Sequence, residues 1–192
     1  MVAERVPQEE PRRGVEMRLE LLPGGQKEFV LSAARHSALL GGRGSGKTVA
    51  SIIKGFIYAG THGKAVGCLT SPTYTQLRDN LMPEVDRRFG EAQGAMWEFR
   101  RADMEIRFAN GSKILLRPAE DAEKLRGLTL AFFGMDEIAV GDQFESFIVL
   151  QRCLRQSGFH HQGWVTSTPS YKRPWIRDIW QHKRNPRTKK PL

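Results

Sequence analysis

Residues 41–48 constrain the fold of this chain more than any other part of its sequence. Their sequence, GGRGSGKT, fits the phosphate-loop pattern G-x-x-x-x-G-K-[ST] at every fixed position. The apolar residues 37–40 precede the loop as a buried strand would, and the apolar positions between Thr48 and Tyr58 have the spacing of a helix. A strand, a glycine-rich loop and a helix in this order predict a site for the phosphates of a nucleoside triphosphate.

Each position of this loop has an expected task. The glycines let the backbone turn successive N–H groups inward around the phosphates at the start of the helix. The Lys47 ammonium is expected to contact these phosphates, and the Thr48 hydroxyl is expected to bind Mg²⁺. The predicted nucleotide-binding residues of the loop are Gly41, Gly42, Arg43, Gly44, Ser45, Gly46, Lys47 and Thr48.

A second apolar run, residues 130–135, ends in two adjacent carboxylates, Asp136 and Glu137. We expect this strand to lie beside the phosphate loop, because ligands bind at the carboxyl ends of parallel strands. Asp136 would then face the Mg²⁺ held by Thr48, and Glu137 would orient and deprotonate the attacking water. The acidic pair changes the prediction from nucleotide binding to nucleotide hydrolysis.

A third polar segment ends the last predicted strand, where Thr166, Ser167 and Thr168 precede Pro169. Its hydroxyls are expected near the γ-phosphate, where they could sense hydrolysis. The alternative is an ordinary Ser/Thr turn before a proline.

The order of elements predicts an α/β fold, a P-loop NTPase of the ASCE/RecA-like kind. Strand and helix patterns alternate, which implies a mainly parallel sheet flanked by helices. Residues 104–108 and 113–116 flank an Asn110-Gly111 turn and predict an antiparallel hairpin appended to that sheet. The other predicted strands are 37–40, 64–70, 128–135 and 163–168, and the predicted helices are 26–34, 48–58, 75–89 and 143–156.

Length and charge limit the possibilities further. With 192 residues, 40% of them hydrophobic, the chain can build one sizeable core. We predict an N-terminal arm over residues 1–25, an ATPase domain over 26–170, and a basic tail or start of an interdomain linker over 171–192. No apolar run approaches the ~20 residues of a membrane helix, and the N-terminus lacks the apolar segment of a signal peptide. A net charge of +9 suits a polyanionic partner, although basic residues can also merely solvate a protein.

Together the three motifs resemble the ATPase half of the large subunit of a tailed-bacteriophage terminase, the motor that packages DNA into procapsids. Further matches are Arg43 inside the phosphate loop, the Asn110-Gly111-Ser112 turn and the Leu125-Arg126-Gly127 segment. The resemblance covers approximately residues 26–169. It implies a motor that binds ATP and Mg²⁺ and couples ATP hydrolysis to translocation of double-stranded DNA.

The resemblance also implies roles for single residues. Gln26 matches the glutamine that recognises adenine, and Arg43 and Lys47 match contacts to the phosphates. Arg126 matches the position proposed to act in trans as an arginine finger from a neighbouring subunit. Its alternative role is that of an exposed arginine at a turn. The implied catalytic residues are Glu137, Lys47, Arg43 and Arg126, the metal ligands are Thr48 and Asp136, and the residues that couple hydrolysis to domain movement are Thr166, Ser167 and Thr168.

The implied partners are double-stranded DNA, further copies of the chain in a homo-oligomeric ring, the portal protein and the small terminase subunit. The expected location is the cytoplasm of a bacterial host, with no membrane partner. A full-length large terminase continues into a nuclease domain with a cluster of metal-binding aspartates, whereas residues 171–192 contain a single acid, Asp178. We therefore expect ATP hydrolysis and no DNA cleavage from this chain.

The basic tail has two interpretations. In the first, it is the solvated start of a linker, and the spacing of Trp175, Ile179 and Trp180 predicts a short amphipathic helix against the core. In the second, its basic residues bind DNA phosphates, with the two tryptophans packing or stacking. The basic residues in question are Lys172, Arg173, Arg177, Lys183, Arg184, Arg187, Lys189 and Lys190.

Three other functions fit parts of the sequence. A two-lobed helicase has similar motifs, but it needs a second RecA-like lobe. A small-molecule kinase needs a lid and an acceptor site, and the acidic pair favours water as the acceptor. A nucleotide-switched DNA-binding or assembly module with negligible turnover is the alternative that is not an enzyme.

Overall fold

A computed structural model of the chain describes residues 19–191. The predicted N-terminal arm therefore lies mostly outside the described residues. Of its described part, Leu19 and Leu21 pack against the core. Gly25 already belongs to the first helix, α1 (Gly25–Leu31).

Within residues 19–191, seven strands form one sheet, and their order across it is β1-β7-β6-β2-β5-β4-β3. The first five strands in this order are parallel, and the last two run antiparallel at one edge. This is the predicted mainly parallel α/β sheet. The strands are β1 (His36–Leu40), β2 (Val66–Ser71), β3 (Trp97–Arg100), β4 (Glu105–Phe108), β5 (Lys113–Pro118), β6 (Phe132–Met135) and β7 (Gln162–Ser167).

Helices cover both faces of the sheet. Side chains alternate along a strand, and so the successive residues Phe132 and Phe133 of β6 enter two different hydrophobic clusters. The first cluster contains residues of α1, of the long helix that follows it and of the helical residues 77–89, and the second contains residues of the last two helices. These helices are α2 (Lys47–Thr61), α3 (Tyr74–Gln76), α4 (Met82–Phe89), α5 (Phe144–Cys153) and α6 (Pro174–Trp180), and a π-helical segment (Leu77–Leu81) joins α3 to α4.

Glycines in the central strands make room for aromatic rings of the neighbouring strands. A Cβ on Gly67 would lie 2.0 Å from the ring of Phe132, and a Cβ on Gly134 would lie 2.4 Å from Nε1 of Trp164. The same Nε1 donates a hydrogen bond of 2.9 Å to Oγ of Ser51 on α2. This close packing positions α2, and with it the phosphate loop, over β6 and β7.

The predicted antiparallel hairpin is confirmed, because β4 and β5 pair antiparallel across the Asn110-Gly111 turn. Its second arm, β5, also pairs in parallel with β2 as an internal strand, and the unpredicted β3 pairs antiparallel with β4. The three consecutive residues Ile114, Leu115 and Leu116 are all buried, because an internal strand is covered on both faces.

The position of β6 also differs from the expectation. We expected the strand before Asp136 to lie beside the phosphate loop, but β7 separates β6 from β1, the strand that leads into the loop. The chain leaves β6, runs through α5 and returns as the strand between them. The acidic pair still reaches the loop, because α2 begins at the loop and packs over β6 and β7.

Candidate active site

The phosphate loop turns from β1 into α2 through two glycines in the left-handed region, Gly44 (φ 72°) and Gly46 (φ 73°). A Cβ at Gly46 would lie 2.5 Å from Nε2 of Gln26, and so both conformation and space require glycine there. The loop is tied to β7 by the N–H of Gly41, which donates to the Ser167 carbonyl over 3.1 Å. Strand, loop and helix have the predicted order and leave the backbone amides of the loop at the start of a fifteen-residue helix.

Lys47 is buried at the start of α2, with 5% of its side chain exposed. Its Nζ donates a 2.8 Å hydrogen bond to the carbonyl of Gly42 and lies 3.8 Å from Oε1 of Glu137. The lysine therefore bridges the two predicted halves of the site. An ammonium held in this position is a point charge for phosphate oxygens.

Asp136 lies at the end of β6 and receives two hydroxyl groups. Oγ1 of Thr48 donates to its Oδ2 over 2.8 Å, and Oγ1 of Thr166 donates to its Oδ1. Burial raises the pKa of Asp136, and the two hydroxyls and Lys47 oppose this effect. A carboxylate next to a threonine hydroxyl is the oxygen donor set that Mg²⁺ uses together with phosphates and water, and so the residues fit this metal.

Glu137 follows directly, but its carboxylate turns towards a different partner. Its Oε2 accepts a hydrogen bond of 3.3 Å from the N–H of Thr168, and 31% of its side chain is exposed. The backbone of Glu137 has a φ of 50°, in the left-handed region. The result is one buried acid beside Thr48 and one accessible acid beside Lys47.

The third motif contacts the acidic pair and the turn that follows it. Besides the bonds of Thr166 and Thr168, the Ser167 hydroxyl accepts a 3.1 Å bond from the N–H of Ala139. The N–H of Ile138 donates to the Thr166 carbonyl over 3.1 Å. These residues of β7 therefore hold the turn after β6 in place, which an isolated Ser/Thr turn would not do.

These elements open into a cavity of about 830 Å³, large enough for a nucleotide. Gln26 lines it and is itself fixed, because its Nε2 donates to the Gly46 carbonyl over 3.1 Å and its Oε1 accepts from the Leu22 N–H over 2.6 Å. One wall of the cavity is not among the predicted site residues, and this wall is the polar side of the helical segment that follows β2. Its polar periodicity was the available signal, and the wall consists of Asp79, Asn80, Pro83, Glu84, Arg87 and Arg88.

The two arginines with predicted roles differ in position. Arg43 is exposed on the phosphate loop and lines the cavity. Arg126 does not line the cavity of its own chain in the part that the structure describes; it is half-exposed and pairs with Glu123 at 2.8 Å and Glu145 at 3.6 Å.

Comparison with known proteins agrees with this geometry. The sequence profile of the family described as "Terminase large subunit, T4likevirus-type, N-terminal" matches residues 38–191. This segment contains the phosphate loop, the acidic pair and the third motif. The chain belongs to this terminase family. A search of the curated proteins finds no match to it.

Solved terminase structures share the fold. The large terminase of a thermophilic bacteriophage in complex with ADP superposes with a TM-score of 0.68 at 20% identity, over 82% of this chain and 41% of that one. The large terminase ATPase domain of Thermus phage P74-26 gives 0.59 at 23% identity, over 76% and 64%. The HK97 bacteriophage large terminase gives 0.63 at 18% identity, over 88% and 38%. This terminase chain therefore spans less than half the length of the first and the third of these proteins.

The basic tail of the terminase chain folds back onto α5. Trp175 of α6 is buried against Phe147, and so its ring is not available to stack on bases. The buried carboxylate of Asp178 pairs with Arg184 and Lys189, both at 2.6 Å. This is the short helix against the core of the first interpretation, and it occupies two of the eight basic side chains of the second.

Two observations concern the described residues as a whole. Within residues 19–191, no group of three or more His, Cys, Asp or Glu side chains is placed to hold a metal ion. None of the described helices combines the length and apolar character needed to cross a membrane.

Proposed function

We propose that this chain is the ATP-hydrolysing motor domain of a terminase large subunit and that it couples hydrolysis to the translocation of double-stranded DNA into procapsids. The observation that carries the proposal is the network in which Lys47 and Thr48 of the phosphate loop each contact one member of the acidic pair. Membership of the terminase family, and the complexes of the thermophilic-bacteriophage terminase with ADP and with ATP-γ-S, support ATP as the substrate.

Binding begins with the triphosphate in the phosphate loop. The backbone amides of the loop and the charges of Lys47 and Arg43 contact the phosphates. Thr48 and Asp136 would hold Mg²⁺, which supplies positive charge to the phosphate oxygens when bound. Gln26, on the wall of the cavity, is the proposed adenine contact, and it must exchange its bond to Leu22 or to Gly46 to become one.

Glu137 is the proposed general base. Its carboxylate is accessible, whereas that of Asp136 is covered, and so the two acids divide the tasks of activating water and holding the metal. Loss of the γ-phosphate changes what Lys47 and Glu137 contact. Thr168 is bonded to Glu137 and Thr166 to Asp136, and so β7 is placed to transmit that change as the coupling element.

The remaining partners follow from the family. A homo-oligomeric ring would bring Arg126 of one subunit to the nucleotide of the next, where its charge is worth ~10³–10⁵ in rate. Its exposed position outside the cavity of its own chain supports a role in trans. The portal protein, the small terminase subunit and a location in the host cytoplasm are proposed on the same ground.

ATP turnover measured against protein concentration, with and without double-stranded DNA, tests this function. We expect turnover per subunit to rise with concentration. Glu137→Gln should still bind ATP but lose about 10²–10⁴-fold in turnover, the usual contribution of a general base. Arg126→Ala should lower turnover in assembled subunits only, and Arg100→Ala, at the end of the edge strand β3, is its control.

The result that contradicts the proposal is equally specific. If Glu137→Gln kept the turnover of the wild type, Glu137 would not be the general base. Turnover that changes neither with protein concentration nor in Arg126→Ala would contradict the trans arginine. Negligible turnover under all of these conditions would favour a nucleotide-switched module. Unwinding of tailed duplexes would instead indicate a helicase.

A further inference from the structure

The backbone of Glu137 is in a conformation that needs support. Its φ of 50° lies in the left-handed region, which is unfavourable for a residue with a side chain. Such a conformation persists only when surrounding contacts fix it. Because the direction of the Glu137 carboxylate depends on this backbone angle, the groups that fix it also determine where the proposed base points.

One support comes from β7, through the bonds of Ile138 and Ala139 to Thr166 and Ser167. The other comes from the opposite side, from a single side chain. Nε2 of Gln143 donates to the carbonyl of Glu137 over 3.0 Å and to the carbonyl of Val140 over 2.7 Å. These two carbonyls are the ends of the tight turn that Glu137 begins, because the N–H of Val140 also donates to the Glu137 carbonyl, over 2.9 Å.

Gln143 is well anchored for this task. Only 2% of it is exposed, and its own carbonyl accepts a 2.9 Å bond from Phe147 in the first turn of α5. Its Oε1 is buried without a hydrogen-bond partner among residues 19–191. An unpaired buried acceptor costs stability, which an apolar side chain of similar shape would avoid. The amide is therefore kept for its two donated bonds.

We infer that Gln143 is a positioning residue for hydrolysis, which holds Glu137 in the left-handed conformation that directs its carboxylate towards Lys47 and Thr168. This inference rests on the proposed role of Glu137 as the base. Gln143 itself touches neither the phosphate loop nor the cavity. It acts on the rate by fixing the base and leaves nucleotide binding to the loop.

The first test is Gln143→Met, which keeps the length of the side chain and removes both donors. We expect kcat to fall by about 10²-fold, the effect of misplacing a reacting group by about 1 Å, while the Kd for ATP stays that of the wild type. Equilibrium binding of a fluorescent ATP analogue and steady-state turnover give the two readings.

Gln156→Met is the matched control. Gln156 also bridges two backbone groups, since its Oε1 accepts from Val66 and its Nε2 donates to Lys64, both over 2.8 Å. It does so at the start of β2, which is the end of that strand away from the phosphate loop. We expect this variant to lose stability but to keep its kcat. An equal fall of kcat in both variants would overturn the inference.

A second test does not depend on turnover. Glycine adopts a positive φ freely, and so Glu137→Gly should no longer need the support of Gln143. We expect Gln143→Met to lower the melting temperature less in the Glu137→Gly background than in the wild type. Equal losses in the two backgrounds would show that Gln143 does not hold this backbone. A wild-type chain without ATP turnover would instead contradict the proposed function, and this thermal cycle would still decide the role of Gln143.

Discussion

This chain buries the carboxylates of Asp136, at the end of β6, and of Asp178, on α6, and it compensates their charges in opposite ways. Asp178 is neutralised by its own chain, because Arg184 and Lys189 each bring a cation to 2.6 Å from its carboxylate. The hydrogen bonds from Lys189 and then Arg184 hold the pKa of Asp178 below its ordinary value. This acid has a complete set of partners within the described chain.

Among residues 19–191, no cation is in direct contact with the carboxylate of Asp136. Its two hydrogen-bond donors are the uncharged hydroxyls of Thr166 and Thr48, and burial raises its pKa. Folding therefore holds a carboxylate in a position where it lacks a cation in direct contact. Both acids are buried, and so burial alone does not distinguish them, but their partners do. Asp178 forms ion pairs within the fold, whereas Asp136 is suited to a cation that comes with the nucleotide.

The largest difference between the two acids should be in catalysis. Asp136→Asn removes the charge that is proposed to hold Mg²⁺, and we expect ATP turnover to fall by roughly 10²-fold or more. Asp178→Asn leaves the cavity untouched and should keep the turnover of the wild type. Steady-state phosphate release at saturating ATP measures both. Comparable losses in the two variants would mean that the position of Asp136 at the phosphate loop has no special role.

A smaller effect is expected from the hydroxyl partners of Asp136. Thr166→Val keeps the shape of the side chain and removes one donor, and so turnover should fall about 10-fold, as for the loss of one hydrogen bond to a charged group. Thr70→Val is the control, because the Thr70 hydroxyl on β2 is buried but has no partner among the described residues. If both valine variants behave alike, the bond to Asp136 is not functional.

The contrast between the two acids also shows what the sequence could predict. Asp136 was predictable, because an apolar strand that ends in Asp-Glu after a phosphate loop has few other uses. The strand order was not, since nothing local in residues 162–167 indicates that β7 enters between β1 and β6. The internal position of β5 was likewise hidden. The turn before it predicts a hairpin, and this turn gives no sign that the second strand also pairs with another strand.

Asp178 was hidden for a different reason. As the single acid in a basic tail it looked like one charge among many, and its partners lie 6 and 11 residues further along the chain. Only the packing of Trp175 and Trp180 around Phe147 covers the tail and brings these charges together. Gln143 was missed similarly, because its two acceptors are backbone carbonyls, and these leave no pattern in the sequence.

The order of the two variants in stability should be the reverse of their order in catalysis, because the less active variant, Asp136→Asn, should be the more stable one. Without nucleotide, Asp136→Asn removes a buried charge that lacks a direct cation, and so its melting temperature should exceed that of the wild type. Asp178→Asn leaves Arg184 and Lys189 without their partner, and its melting temperature should be lower. Thermal unfolding followed by circular dichroism at neutral pH measures both shifts. Two shifts of the same sign would contradict the inference that the charge of Asp178 is compensated by direct ion pairs and that of Asp136 is not.

The smallest expected effect is the pH dependence of these two shifts. Burial raises the pKa of Asp136 above 3.8, and so its ionised form costs stability at neutral pH, and the gain in Asp136→Asn should vanish as the pH falls through the raised pKa. The pKa of Asp178 is lowered, and so its contribution is present above 3.8 and lost only as the pH falls below that value. Melting curves of the wild type and both variants between about pH 7 and pH 3 should therefore converge for Asp136→Asn first and for Asp178→Asn later. Convergence in the reverse order would mean that hydroxyl partners stabilise a buried carboxylate better than two cations do.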